Sequence, residues 1–108
     1  MLEPQYCVVS VVGDGTAAIA AAELYQPDIV LLDISMPMMN GLQAAAPIAQ
    51  RCPSVRIIFV TSHTDKTYVE KAFKRGAAGY VSKGSGADLQ NAIRTVLGGQ
   101  YYRPDFRS

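Results

Sequence analysis

Four stretches of the chain are almost continuously apolar, and helix-length segments separate them: Tyr6–Val12, Asp28–Asp33, Arg56–Thr61 and Ala78–Ser82. Valine, isoleucine and leucine fill these stretches with little alternation between polar and apolar positions. A strand exposed on one face would alternate, so the pattern predicts strands covered on both faces, as in a parallel sheet. Between them the spacing becomes helical. Thr16–Tyr25 is rich in alanine, and Leu42–Gln50 follows an Asn-Gly start. Lys66–Arg75 begins after Asp65, a residue type favoured at the N-cap, and ends at Gly76, which suits the position just beyond a helix. Val69, Ala72 and Phe73 share one face of it, with Glu70 and Lys74 at i,i+4 spacing on the other. A last helix is predicted over 87–97. Ser85 and Asp88 have the spacing of a capping box there, and Leu89, Ala92, Ile93, Val96 and Leu97 form its apolar stripe. Pro47 interrupts the second helix at a cost of ~3 kcal/mol. It predicts either a kink or a helix that begins near residue 46.

The order is βαβαβαβα. Helices between buried strands imply right-handed parallel crossovers, hence a three-layer α/β sandwich. A length of 108 residues suffices for one core. Residues 1–98 form the expected domain, and 99–108, "GQYYRPDFRS", read as a tail leading out of it. The chain is 49% hydrophobic and 18% charged, which fits a folded soluble domain and not a disordered one. A net charge of +1 argues against electrostatic capture of nucleic acid or membrane. Cys7 and Cys52 are expected to be reduced structural thiols of a cytoplasmic protein.

Ligands of open α/β sheets gather beyond the carboxyl ends of the strands. Those ends carry Asp14, then Asp33, then Thr61 with Ser62, then Lys83. An acid, a hydroxyl and an amine brought to one edge suit a phosphoryl group: the carboxylate as nucleophile, the hydroxyl as donor, the ammonium as counter-charge. Other residues have plainer readings. His63 is expected to be a solvated loop histidine, and Met36, Met38 and Met39 to be packing or partner contacts. Lys66, Lys71, Lys74 and Arg75 are interspersed with acids and read as a solvated face.

Taken together, "PDIVLLDISMPMMNG", "IIFVTSH", "KRGAAGYVSK" and "GGQYY" resemble the receiver domain of bacterial two-component response regulators, of the kind joined to a helix-turn-helix output domain. The resemblance implies a flavodoxin-like sandwich and a non-enzymatic signalling role. It makes Asp33 the phosphoacceptor, Thr61 the hydroxyl that moves toward the phosphoryl group, and Lys83 its cationic partner. Tyr80 becomes an aromatic switch. Asp33 and the backbone carbonyl of Ser35 become ligands of Mg²⁺, while Pro37 and Gly41 shape the loop after the acceptor. The implied partners are a histidine kinase and a second copy of the chain, with no direct nucleic-acid or membrane binding by this domain.

Two departures accompany the resemblance. The family begins with a further strand, an acidic pair and a helix, whereas "MLEPQYCVVSVV" runs directly into what would be the second strand, leaving four β–α units. The acidic pair that would hold Mg²⁺ is then absent. Gly84 also stands where many relatives have proline. The family strand order, 2-1-3-4-5, would place the absent strand between Tyr6–Val12 and Asp28–Asp33. Either those strands close up, or another chain fills the gap. The absent helix would have covered Leu89, Ile93, Val96 and Leu97, so the chain is expected to self-associate through that face or the strand edge, or else to be unstable alone. The alternative function is a truncated receiver acting only as an interaction or dimerisation module. A small flavin-binding protein of similar topology ranks last, because "GDGTA" is a poor phosphate loop.

Overall fold

Each strand lies beside the strand that follows it in the chain, and this single rule accounts for the layering. The computed structural model describes residues 7–10, 15–33, 41–62, 65–84 and 86–104, without the side chains of Val9 and Ser10. Its elements are β1 (Val8–Ser10), α1 (Gly15–Tyr25), β2 (Ile29–Leu32), α2 (Gly41–Arg51), β3 (Arg56–Thr61), α3 (Lys66–Lys74), β4 (Gly79–Ser82) and α4 (Gly86–Leu97). All pairings are parallel, in the order β1-β2-β3-β4. Right-handed crossovers that always step in the same direction put their helices on the same face. Accordingly α1, α2 and α3 pack against Val30, Leu32, Ile57, Phe59 and Tyr80. The alternate strand positions Ile29, Ile58 and Val81 meet α4 through Ala92 and Val96.

The predicted α/β sandwich is therefore present, and β1 has closed up beside β2. Val8 pairs with Ile29 and Ser10 with Leu31. Asp28 secures the closure from the start of β2: its carboxylate accepts the Cys7 amide at 2.8 Å, and its own amide donates to the Cys7 carbonyl at 2.8 Å. β1 is an edge strand of the described sheet, and Tyr6, Val11 and Val12 of its apolar run lie outside the described residues.

Two local expectations need correction. Helix α2 begins at Gly41, not near residue 46, and continues through Pro47. Proline lacks the amide that would donate to the carbonyl four residues back, that of Gln43, which is an exposed residue. Asp65 does occupy the N-cap of α3, but its side chain makes no capping bond; its backbone carbonyl instead accepts the amides of Tyr68 and Val69. Gly76 follows α3 at φ +103°, the left-handed conformation that a C′ glycine supplies cheaply. Ser85, the expected capping-box residue of α4, lies outside the described residues.

Coverage of the two sheet faces is unequal. The α1–α3 side buries sixteen residues in one cluster, from Ala18 to Tyr80. On the other side α4 is the one helix among the described elements, and Leu31, Val60, Leu89, Ile93 and Leu97 are only half-buried there. Val8 stays 39% exposed. Cys7 is exposed, Cys52 is buried, and both are free thiols. No helix among the described residues is long and apolar enough to cross a membrane.

Candidate functional site

Parallel pairing brings the carboxyl ends of β2, β3 and β4 to one edge, where Asp33 follows Leu32, Thr61 closes β3, and Lys83 follows Ser82. Register aligns them further. Leu32 pairs with Phe59 and Thr61 with Ser82, so the three residues climb across adjacent strands. The Lys83 ammonium forms an ion pair with Oδ2 of Asp33. Since β3 lies between β2 and β4, this pair spans the strand end that Thr61 occupies. The amide of Lys83 donates to the Thr61 carbonyl at 2.9 Å, which fixes where the lysine leaves the sheet. The Asp33 side chain is one-fifth exposed and that of Lys83 about half exposed, at 20% and 54%. The acid is thus recessed but reachable, while Thr61 is fully buried. No buried side-chain nitrogen or oxygen among the described residues lacks a hydrogen-bond partner.

Helix α2 holds Asp33 from the other side. A Cβ built on Gly41 would fall inside the Asp33 carbonyl oxygen and come within 2.9 Å of both the Asp33 carbonyl carbon and Cε1 of Phe59. Only a residue without a side chain lets the start of α2 approach so closely, which gives Gly41 a steric role beside the acid. One strand further on, Tyr80 is 1% exposed, and its ring centroid lies 6.2 Å from that of Phe59 at an interplanar angle of 43°. Burial pushes the Tyr80 hydroxyl up to about 12, with further contributions from Asp65, Tyr68 and Asp33. The phenol consequently stays neutral and senses the charge at the site.

Several expected residues lie outside the described set: Asp14, Ser35, Met36, Pro37, Met38, Met39, Asn40 and His63. This bears on Mg²⁺, which demands near-octahedral oxygen ligands. Among the described residues there is no group of three histidine, cysteine or acidic side chains able to hold a metal. Asp33 is the one carboxylate at the described edge and it is already engaged by Lys83. The described residues do not make a Mg²⁺ cage, and no step below is routed through the ion.

Residues 1–94 match the response regulator receiver domain family. The chain belongs to that family. It is 40% identical over 105 residues to the transcriptional regulatory protein DegU of Brevibacillus brevis, covering 95% of this chain and 44% of that protein. Among solved structures it is similar to a LuxR-family two-component response regulator from Aurantimonas sp. SI85-9A1, with a TM-score of 0.82 and 35% identity over 93% of this chain and 72% of that one. It is also similar to the CheX–CheY–BeF3–Mg²⁺ complex from Borrelia burgdorferi, with a TM-score of 0.73 and 25% identity over 78% of this chain and 65% of that chain. The chain spans about half the length of the curated relatives it matches. As a receiver domain it belongs to two-component signalling, and the relatives named are regulators of transcription.

Sequence reasoning missed three parts of this neighbourhood. Asp65 reads as a helix cap, yet its charge acts on Tyr80. Phe59 looks like one more apolar strand residue, although it touches both the Gly41 position and the Tyr80 ring. The third is the "YYR" of residues 101–103, an aromatic doublet next to a base, which pairs with β4: Gly79 and Tyr102 form a parallel bridge.

Proposed function

We propose that this chain is a phosphoacceptor receiver, taking a phosphoryl group from a histidine kinase onto Asp33 and switching an interaction surface in response. The observation that carries the reading is the Asp33–Lys83 ion pair across the buried Thr61 strand end. A carboxylate oxygen of Asp33 attacks the phosphorus of a phosphoimidazole; the O–P bond forms, the P–N bond breaks, and the neutral imidazole leaves with a proton from solvent. Lys83 offsets the charge that the acylphosphate adds, and Thr61 offers its hydroxyl to a phosphoryl oxygen. Charge neutralisation falls on a single lysine among the described residues, so transfer from a small donor is expected to be slow. Incubation with acetyl phosphate, read by intact mass, tests this. One phosphoryl group should appear slowly on the wild type and on neither Asp33→Asn nor, at a comparable rate, Lys83→Ala. Modification of Asp33→Asn at the wild-type rate refutes the assignment.

A second reading, self-association through the α4 face, rests on a separate observation. Val60, Ser82, Gly84, Gly86 and Leu89 line an apolar hollow of ≈ 270 Å³ beside the half-buried stripe of α4. Covering an apolar side chain fully contributes on the order of 1.5–3 kcal/mol, so a second copy seated there gains several such terms. Sedimentation at low micromolar concentration should show dimers that Val60→Glu returns to monomers. A wild-type chain that remains monomeric under those conditions rules the reading out.

A further inference from the structure

The flank of the sandwich farthest from β4 is made by β1 and α1. Among the described residues no strand lies beyond β1. Backbone groups of successive strand residues turn to opposite sides. The Cys7 carbonyl faces β2, where it accepts the amides of Asp28 and Ile29 at 2.8 and 3.2 Å, so the amides and carbonyls of Val8 and Ser10 face outward. Helix α1, the crossover from β1 to β2, stands beside this edge. Glu23 is the one charged residue in it, and that charge is paired with Arg51 of α2 at 3.1 Å. Gly15, Ala18 and Ala22 are buried, whereas Ala17, Ala20 and Leu24, which share the opposite side, are exposed. Leu24, Tyr25 and Val8 keep 74%, 64% and 39% of their surface in solvent. A helix apolar on nearly all sides is ordinarily covered on all of them.

A second copy, related by a two-fold axis normal to the sheet, satisfies the strand edge and the helix face together. Two β1 strands then run antiparallel about Val9, and Val8 of each faces Ser10 of the other, with up to about four backbone hydrogen bonds between them. Spacing carries the helices into contact as well. Strands lie about 4.8 Å apart, so a helix above the β1–β2 gap stands roughly 10 Å from its copy, and one above β2 roughly 14 Å. Helices pack at about 8–10 Å; alanines permit the shorter distance, and Leu24 and Tyr25 reach across the longer one. Charge favours the same arrangement. Helix α1 has no acidic residue in its first turn and no basic residue in its last. Antiparallel pairing sets the carbonyl end of each helix beside the amide end of the other, supplying the complement that the sequence of α1 does not. Ala17, Ala20 and Leu24 bring no like charges together.

We infer that the outer edge of β1 and the exposed face of α1 form a homotypic interface, which joins two four-stranded sheets into one continuous sheet. It is separate from the hollow beside α4, which lies on the other face of the sheet, and it does not depend on Asp33 being the acceptor. A strand of three residues and one helix face make a small contact, so this pairing belongs to higher concentrations than the α4 contact. A chain that uses both surfaces assembles beyond a dimer, because neither contact blocks the other.

Sedimentation equilibrium of the Val60→Glu protein, in which the α4 face is silenced, isolates the edge contact. Mass should rise toward that of a dimer between roughly 20 and 500 µM. Leu24→Lys places a charge on an exposed position that the core does not use, and it should weaken the dimer tenfold or more. Val8→Pro removes an outward amide while leaving the bonds of β1 to β2, and it should do the same. A covalent trap reads the interface independently of Val60→Glu. Residues facing each other across the two-fold lie within disulfide range, so Val9→Cys in an otherwise unchanged Cys7→Ser chain should crosslink under mild oxidation. Three results each overturn the interface: a Val60→Glu chain that stays monomeric throughout, dimers indifferent to both Leu24→Lys and Val8→Pro, or a Val9→Cys chain that does not crosslink.

Discussion

Replacing Gly41 with alanine sets two opposed effects against each other at the acid site. Alanine is the better helix former by up to about 1 kcal/mol, so propensity alone predicts a more stable α2. The structure predicts the reverse. The new methyl would overlap the Asp33 carbonyl oxygen and press within 2.9 Å of the Asp33 carbonyl carbon and the Phe59 ring. Two of those three atoms are backbone, and Phe59 is fully buried, so no flexible side chain can swing aside. Overpacking of this kind costs about 1–3 kcal/mol. Overlap with a backbone oxygen puts the cost in the upper part of that range, about 2–3 kcal/mol. Against the helix gain, the expected net loss is about 1–2 kcal/mol, which for a domain of this size lowers Tm by roughly 4–16 °C. The overlap is with Asp33 itself, so relieving it disturbs the acid at the end of β2, and affinity for beryllofluoride, a mimic of the phosphoryl group, should fall along with stability. Urea melts followed by circular dichroism, together with a beryllofluoride titration followed by NMR, measure the two losses. A Gly41→Ala protein with unchanged or higher stability would show that the approach of α2 to Asp33 is looser than described, and the steric account of Gly41 would be wrong.

Two further outcomes are expected. The Tyr80 hydroxyl is raised from 10.0 to about 12 by burial, so the unfolded chain releases that proton first; the contribution to stability is complete below pH 10 and is lost as pH rises toward 12. Stability measured across that window should fall less steeply in Tyr80→Phe than in the wild type, and equal slopes would contradict it. The Arg56 guanidinium donates to the carbonyl of Val96 at the C-terminal end of α4. Arg56→Ala should therefore cost about 1 kcal/mol in urea denaturation, through loss of a charge-assisted bond to a helix-end carbonyl that otherwise accepts only the Gly99 amide among the described bonds.

Strands and helices were legible because buried positions repeat at fixed periods, and every predicted element has its counterpart within a few residues of its expected ends. β3 matches Arg56–Thr61 at both ends because β2 pairs with Arg56–Phe59 and β4 with Ile58–Thr61, so its two partners together span it. Of the run Tyr6–Val12, β1 holds Val8–Ser10, and Tyr6, Val11 and Val12 lie outside the described residues. The convergence of Asp33 and Lys83 was legible from the rule that parallel strands share a carboxyl edge. What the one-dimensional pattern hides are contacts that leave no side-chain signature. The segment around Tyr102 is held to β4 by backbone bonds of Ala78, Tyr80 and Tyr102, which any sequence supplies. Gly41 is demanded by atoms of Asp33 and Phe59, distant from it in sequence. Of the two readings of Pro47, a start of the helix near residue 46 does not hold, since α2 begins at Gly41 and Pro47 lies inside it.

The monotonic order of the strands has a consequence for how the chain folds and opens. Each βαβ step joins immediate neighbours, so no strand has to be threaded between two already in place. Closure distances stay short, and the sheet can grow outward from a first pair much as a linear repeat array does. β2 and β3, whose Val30, Ile57, Ile58 and Phe59 are almost wholly shielded, are the natural starting pair. The same linearity makes the two margins separable. Detaching the three residues of β1 at one side, or Tyr102 at the other, leaves the middle of the sheet with all its partners. Cooperativity should therefore decline from the centre toward both margins, so that the chain frays at its sides well before it unfolds as a whole.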